Sequence, residues 1–363
     1  MWDALLTSGG PALQLSRLPN CPAVALASIL VLPVSTARAA QISDMLDLNG
    51  FVDLEYLQPT LAGAGSAPAT FRQHHANLLF MAYTSDATQV HMHLEFEDGA
   101  TPLTGAPDDV GLRTVGSGKV VTEAAWAQWR PANALALRAG RFITPYGSLN
   151  TVHDTAPAFL AFEVPAAIYD PDDLGGVQAI PKLTTGVEAQ LGSGPVSGRV
   201  WVSNGIVEDG NEARQDDNQN KGVGARLETD NTATLSGSVT AFHTKVGRED
   251  DGPQASHSSV VAHVRWQPRS WAVLAEGAGT QRGEAAQLGW TAQLASYHLD
   301  RFTPFVRAEH LVTRDGGSWR AAIIGSAVHL APNHLMLKLE HQLGRTGSAP
   351  VQGELRAAVV GWF

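Results

Sequence analysis

Beyond residue 40 the chain alternates apolar and polar side chains with a period of two. In Gln89–Glu97, Val90, Met92, Leu94 and Phe96 share one parity, while Gln89, His91, His93, Glu95 and Glu97 share the other. A helix would spread both sets around its axis, whereas a strand sends them to opposite faces. The pattern recurs in residues 183–191, in 258–267 (Val260, Ala262, Val264 and Trp266 against His263, Arg265 and Gln267) and in 335–342 (Leu335, Leu337 and Leu339 against Lys338, Glu340 and Gln342). Read throughout, it predicts about sixteen strands near 47–57, 73–84, 88–97, 119–129, 134–142, 183–191, 196–203, 221–229, 232–244, 258–267, 270–280, 287–298, 302–312, 319–330, 333–342 and 353–363. Residues 73–84 and 319–330 are apolar on both faces.

The connections sort by length. Turn-forming clusters such as Arg130-Pro131-Ala132-Asn133, Gly192-Ser193-Gly194-Pro195, Gln267-Pro268-Arg269-Ser270 and Ala331-Pro332-Asn333 alternate with longer polar segments rich in Gly, Pro and Asp, in the first half especially. Tight turns at one rim and long loops at the other mark a transmembrane antiparallel β-barrel, its turns in the periplasm. An even strand count brings both ends of the barrel to the turn side. Trp129, Trp266, Trp271, Tyr297, Phe302 and Phe363 fall at turn-side strand ends, where aromatic rings favour the headgroup level.

Composition agrees. The 363 residues carry 17 % charged and 44 % hydrophobic side chains, and no run after residue 40 reaches the ~18 apolar residues of a membrane-spanning helix. A soluble globule would carry about 25 % charged residues. A net charge of −10 argues against nucleic acid as a partner. The one cysteine, Cys21, precedes residue 40. There, Arg17, the apolar run 22–35 and Ala37-Arg38-Ala39 read as a secretory signal peptide, 1–39, cleaved after Ala39, followed by a barrel domain, 40–363.

Two stretches then carry a resemblance. Arg138-Ala139-Gly140-Arg141-Phe142-Ile143-Thr144-Pro145-Tyr146-Gly147 is similar to the R-x-G-x-F-x-T-P-[FY]-G stretch of phosphate-selective-type and related porins. Leu355, Ala357, Val359, Gly361 and Phe363 alternate up to an aromatic last residue, which resembles the signal by which outer-membrane barrels are recognised for assembly. The chain thus resembles the Gram-negative outer-membrane porin superfamily. The resemblance implies a water-filled channel in the cell outer membrane for passive diffusion of small hydrophilic solutes and ions. It implies outer-membrane lipid and the barrel-assembly machinery as partners, with Phe363 the assembly signal. It also implies a homotrimer, for which the alanines of 119–142 offer a small-residue wall. A phosphate-selective lumen should be rich in Lys and Arg, yet the chain has 25 basic against 35 acidic residues, so weak cation preference is expected.

In porins the segment after this motif opens the third extracellular loop and folds into the lumen. The matching segment, 143–182, holds Asp154, Glu163, Asp170, Asp172 and Asp173. With Arg138 and Arg141 on the wall, these are the expected pore-constriction residues; the alternative is an acidic loop lying over the outer rim. The registers turn Glu95, Glu97, Glu123, Glu188, Arg199, Arg226, Arg265, Arg307, Lys338, Glu340 and Arg356 into the lumen, together with Glu228, Glu276, Glu309 and Glu354. His91 and His93 share a face with Glu95, a pair zinc could use. Without a further convergent ligand they read as lumen polarity, and neither metal, cofactor nor catalytic residue is expected. The competing readings are an outer-membrane barrel enzyme of the lipase or protease type, a plugged structural or adhesion barrel, and a soluble secreted β-protein.

Overall fold

The computed structural model describes residues 40–43, 45–61, 69–73, 75–97, 119–152, 160–192, 194–206, 220–229, 234–247, 254–299, 301–331 and 334–363. The expected signal peptide, 1–39, and Asp154 lie outside them.

The strands are β1 (Ala40–Ser43), β2 (Leu46–Pro59), β3 (Thr70–Arg72), β4 (His75–Ser85), β5 (Thr88–Glu97), β6 (Lys119–Ala132), β7 (Leu135–Ile143), β8 (Leu183–Leu191), β9 (Val196–Ser203), β10 (Gly222–Thr229), β11 (Leu235–Val246), β12 (Ala255–Trp266), β13 (Trp271–Arg282), β14 (Ala285–Ser296), β15 (Phe302–Thr313), β16 (Ser318–Ala331), β17 (Leu335–Thr346) and β18 (Gln352–Trp362). From β4 onward each pairs antiparallel with its successor, and β18 pairs with β2 from Glu354↔Pro59 to Trp362↔Phe51 to close the ring. β3 and β4 both pair with β2 and form one interrupted stave, while β1 adds only a short pairing at Leu46–Leu48. The barrel therefore has sixteen staves, matching the sixteen strands expected from alternation. Closure satisfies the backbone without a free edge, as hydrocarbon requires.

Polarity is inverted relative to a soluble protein. Val187, Val223, Leu227, Val260, Leu288 and Ile324 point outward and are each more than half exposed. Inward-facing strand positions include Asp53, Glu95, Glu188, Glu276, Glu309 and Lys338, all under 5 % exposed. An apolar exterior over a charged interior is stable only with lipid outside and polar partners inside. The soluble reading fails on this point, and the chain is an outer-membrane-type barrel. Trp129, Trp266, Trp271, Tyr297, Phe302 and Phe363, the expected girdle, are all exposed at the turn-side rim.

The seam of the ring is at that rim. Phe363 N donates to Gly50 O at 3.0 Å, and Gly50 N donates to Phe363 O at 3.2 Å. The Phe363 ring lies over Gly50, where an added Cβ would stand 2.7 Å from the ring and 2.7 Å from Asn77 O, so a side chain there would displace the ring or the neighbouring strand. At the other rim the connections are long after β2, β5, β7, β9 and β11, but those after β13, β15 and β17 are short. The rims therefore differ in the first half of the chain and resemble one another in the second.

Candidate functional site

The porin-like stretch builds the base of the third long loop. Phe142 and Tyr146 are fully buried, packed with Ile168, Tyr169, Ile180, Trp201 and Phe242. Thr144 N donates to Lys182 O (2.9 Å), and Asn150 Nδ2 donates to both Thr144 O (2.7 Å) and Lys182 O (2.9 Å), which ties the loop's two ends together. Gly147 has φ +61°, and a Cβ there would lie 2.1 Å from Tyr169 Oη and 2.2 Å from Glu276 Oε1. The stretch thus needs glycine at this position on two grounds, left-handed backbone and close approach.

From this base the loop enters the lumen and runs along the inner wall. Gly147 O accepts from Arg226 (2.7 Å) on β10. Glu276 on β13 accepts from Ser148 Oγ (2.7 Å) and Tyr169 Oη (2.6 Å). Farther along, Phe162 N donates to Glu340 (3.1 Å), while Lys338 Nζ donates to Ala161 O (2.9 Å) and Arg307 to Glu163 O (2.8 Å). On the return, Ala167 N in the single turn α1 (Ala166–Tyr169) donates to Glu309 (3.3 Å), Val177 N donates to Gln287 (2.6 Å), and Ala179 O meets His257 Nε2 (2.8 Å). The wall side chains supply charged or amide partners to loop backbone groups that water would otherwise satisfy.

Apolar contacts reinforce the seating. Phe162 packs with Phe51, Ala327, Met336 and Val360; Ala161 packs with Ala295, Phe305 and Ile323; Ala167 packs with Leu311, Trp319 and Ala321. Burying a side chain the size of Phe or Ile contributes about 1.5–3 kcal/mol. These contacts explain why 319–330 is apolar on both faces: one face meets lipid, and the other meets the loop. Leu79 plays the same part in 73–84, packing beside Phe51 and Phe162. The described parts of the loop, 144–152 and 160–182, lie inside the barrel and not over its rim.

Charges on the wall are interleaved rather than segregated. One ladder runs Arg138–Glu188 (2.9 Å), Glu188–Arg199 (3.9 Å), Arg199–Glu228 (3.1 Å) and Glu228–Arg226 (2.8 Å) across β7 to β10. On the far side Arg356 touches Glu354 (2.8 Å) and Glu340 (3.9 Å), Arg72 touches Glu55 (2.7 Å), and His75 touches Asp53 (2.9 Å). Between these last groups stands Glu163, 3.4 Å from Arg72 and 3.4 Å from Arg356, with 40 % of its side chain exposed.

The expected constriction residues separate accordingly. Glu163 meets wall arginines. Asp170 pairs instead with Lys182 of the same loop, and burial raises its carboxyl above the ordinary range against the pull of that lysine. Asp172 and Asp173 open an exposed single turn, Asp172–Leu174. Arg138 is on the inner wall, but its guanidinium is stacked 4.5 Å from Phe142 and 5.2 Å from Trp126. Arg141 is a correction. Three residues from Arg138 and next to inward Phe142, it takes the opposite parity, in register with Ala125 and Thr185 on the outer face.

Of the expected lumen residues, Glu95, Glu123, Glu188, Arg226, Arg307, Lys338 and Glu340 are buried on the inner wall. Arg199, Arg265 and Arg356 are half-buried there, and Arg265 hydrogen-bonds Gln267. The Glu97 side chain lies outside the described residues. His93 bonds Asn77 (2.5 Å) and His91 stacks on Trp126 (5.0 Å), so both belong to lumen packing. Alternation did not single out Arg72, which precedes the strand expected at 73–84. Nor did it reveal the Ser148–Tyr169–Glu276 latch, whose only trace in sequence is a lone carboxylate within Val273-Leu274-Ala275-Glu276-Gly277-Ala278.

No family model and no curated protein matches the sequence. Solved structures do resemble the fold. The chain is similar to an anion-selective porin from Comamonas acidovorans (11 % identity, TM-score 0.64, covering 88 % of this chain and 99 % of that one). It is similar to OmpF of Salmonella typhi (12 %, TM-score 0.63, 88 % and 97 %). It also resembles OmpT, an outer membrane protein of Vibrio cholerae (9 %, TM-score 0.59, 88 % and 99 %). At such identities the likeness is one of fold: a porin-type barrel traced over nearly its whole length.

Proposed function

We propose that this protein is a general porin, a water-filled channel for passive diffusion of small hydrophilic solutes and ions across the outer membrane of a Gram-negative bacterium. The observation that carries the reading is the third loop, bonded along the inner wall with Glu163 held between Arg72 and Arg356. A barrel of sixteen staves is too wide for side chains to fill, so a loop laid inside it narrows an aqueous lumen. Selectivity then depends on the charges left at the narrowing. Acidic side chains outnumber basic ones on the described inner wall, which supports weak cation preference and argues against a phosphate-selective lumen.

The hydrolase reading has less support. Ser238 and Ser259 each meet a histidine (His263 at 2.8 Å, His257 at 3.0 Å). An activating base needs its second nitrogen oriented by a carboxylate. In His257 that nitrogen faces Arg282 Nε at 3.2 Å instead.

Trimerisation is part of the proposal. Ala125, Ala127 and Ala139 are exposed on the outer face of β6 and β7, and a groove beside them is lined by Val187, Val200 and Val202. The V. cholerae OmpT structures include a trimer form. Phe363, at the seam, is the proposed assembly signal. Reversal potentials in a planar bilayer under a salt gradient test the channel reading. Wild type should show a modest cation preference, and Glu163→Gln, which leaves Arg72 and Arg356 less compensated, should move it toward anions. A protein that never conducts, or a strongly anion-selective wild type, refutes the proposal. A single-barrel mass in native detergent electrophoresis refutes the trimer alone.

A further inference from the structure

Arg138, Gly140 and Phe142 of the porin-like stretch alternate along β7 and share its inner face. Gly140 is in register with Trp126 of β6 and has φ +128°. A Cβ there would stand 2.3 Å from Ala125 O and 3.1 Å from Trp126 Cβ. Glycine therefore lets β6 and β7 close tightly, and it leaves the inner face between Arg138 and Phe142 without a side chain of its own. The indole of Trp126 reaches both neighbours, packing against the buried cluster that contains Phe142 and lying beneath the Arg138 guanidinium.

That guanidinium is held by two rings. Its carbon is 5.2 Å from the centre of the Trp126 ring and 4.5 Å from that of Phe142. From β5, His91 stacks on the same indole, with centroids 5.0 Å and planes 7° apart. Arg138 bonds Glu188 at 2.9 Å, while its Nε is buried without a hydrogen-bond partner. An arginine left to its hydrogen bonds would turn that nitrogen to water. The rings hold it back, because a weakly hydrated planar cation over an aromatic face tolerates desolvation. The Arg138 side chain is 10 % exposed, against 27 % for Arg199, two strands along the same charge ladder.

We propose that Trp126 is a specificity-determining residue of the channel proposed above, a reading on which this one rests. It stacks Arg138 against the wall beside Glu188 and so withdraws a positive charge from the ion path. A unit charge about 8 Å from that path changes the local concentration of an ion about twofold in water. Parity alone counts Arg138 as a lumen cation; the stack takes it out of that count, and the cation preference of the channel depends on an uncharged side chain.

Two measurements on the full chain test this. In detergent, phenylglyoxal labelling followed by peptide mass spectrometry reads the accessibility of each arginine. Arg138 should react about tenfold more slowly than Arg199 in wild type, as a desolvated cation–π stack implies. Trp126→Leu should bring the two rates together, and Trp126→Phe, which keeps an aromatic face, should preserve most of the protection. In planar bilayers under a salt gradient, Trp126→Leu should lower the cation-to-anion permeability ratio about twofold or more. The same substitution in an Arg138→Gln background should leave that background's ratio where it was. The heat-dependent electrophoretic shift checks that each barrel is folded; if Trp126→Leu does not fold, the rates in wild type and Trp126→Phe decide. Labelling needs no current, so a barrel that never conducts refutes the channel while the rates still decide the position of Arg138. The proposal is overturned if Arg138 and Arg199 react alike in wild type, if Trp126→Leu leaves Arg138 protected, or if the permeability shift persists without Arg138.

Discussion

Glu276 offers the sharpest test of how the loop is held. Its carboxylate accepts Tyr169 Oη at 2.6 Å and Ser148 Oγ at 2.7 Å, and Ser148 N approaches at 3.3 Å. The group is 4 % exposed, and no cation lies within ion-pair distance of it among the described residues. Each hydrogen bond to a charged group contributes about 1.5–3 kcal/mol. Glu276→Ala removes two short bonds and strands the Tyr169 hydroxyl in a buried site. It also relieves the desolvation of a buried carboxylate, which offsets part of the loss. A net weakening of about 2–4 kcal/mol follows, a local opening some 30- to 1,000-fold more frequent. The loop has further anchors at Arg226, Gln287, Arg307, Glu309, Lys338 and Glu340, so it should loosen between 146 and 169 without leaving the lumen. Single-channel recordings should then show larger, noisier currents. A cysteine placed by Thr151→Cys, at an exposed position three residues past Ser148, should react faster with a methanethiosulfonate reagent in the variant. Unchanged current noise together with an unchanged labelling rate would refute the latch.

Three further outcomes are expected. Gly147→Ala forces a side chain into left-handed backbone, about 1–3 kcal/mol of strain, and drives its Cβ toward Tyr169 and Glu276; limited proteolysis should cut the loop in this variant and spare the wild type. Phe363→Ala removes the ring over Gly50 and should lower the yield of barrel inserted in the outer membrane, while channels that do assemble keep wild-type conductance. Asp170 has a folded-state pKa above the ordinary carboxylate value because burial outweighs Lys182. The seated loop therefore holds that proton more tightly than a released loop. Seating should strengthen as pH falls through the range just above the ordinary value and weaken as pH rises through it. Hydrogen exchange of 166–171, corrected for intrinsic rates, should be slower at pH 4 than at pH 7, and faster exchange would contradict the assignment.

Much of the barrel was legible along the chain because a strand's two faces repeat every second residue and lipid and lumen demand opposite chemistries. That rule placed the sixteen staves, the turn-side aromatics and inward groups such as Glu188 and Lys338. Applied strictly it also excludes Arg141, whose odd spacing from Arg138 sends it outward. The strands apolar on both faces were already the mark of a docking surface, but alternation cannot say what docks there. Only the tertiary structure decided that the loop after Gly147 lies against β10 to β18, that Glu163 stands between Arg72 and Arg356, and that Glu276 holds Tyr169 and Ser148. These contacts join residues up to 193 positions apart in the chain. Periodicity is a property of one strand and its neighbours, whereas the choice of partner across a pore depends on where the ring closes and how a loop crosses it.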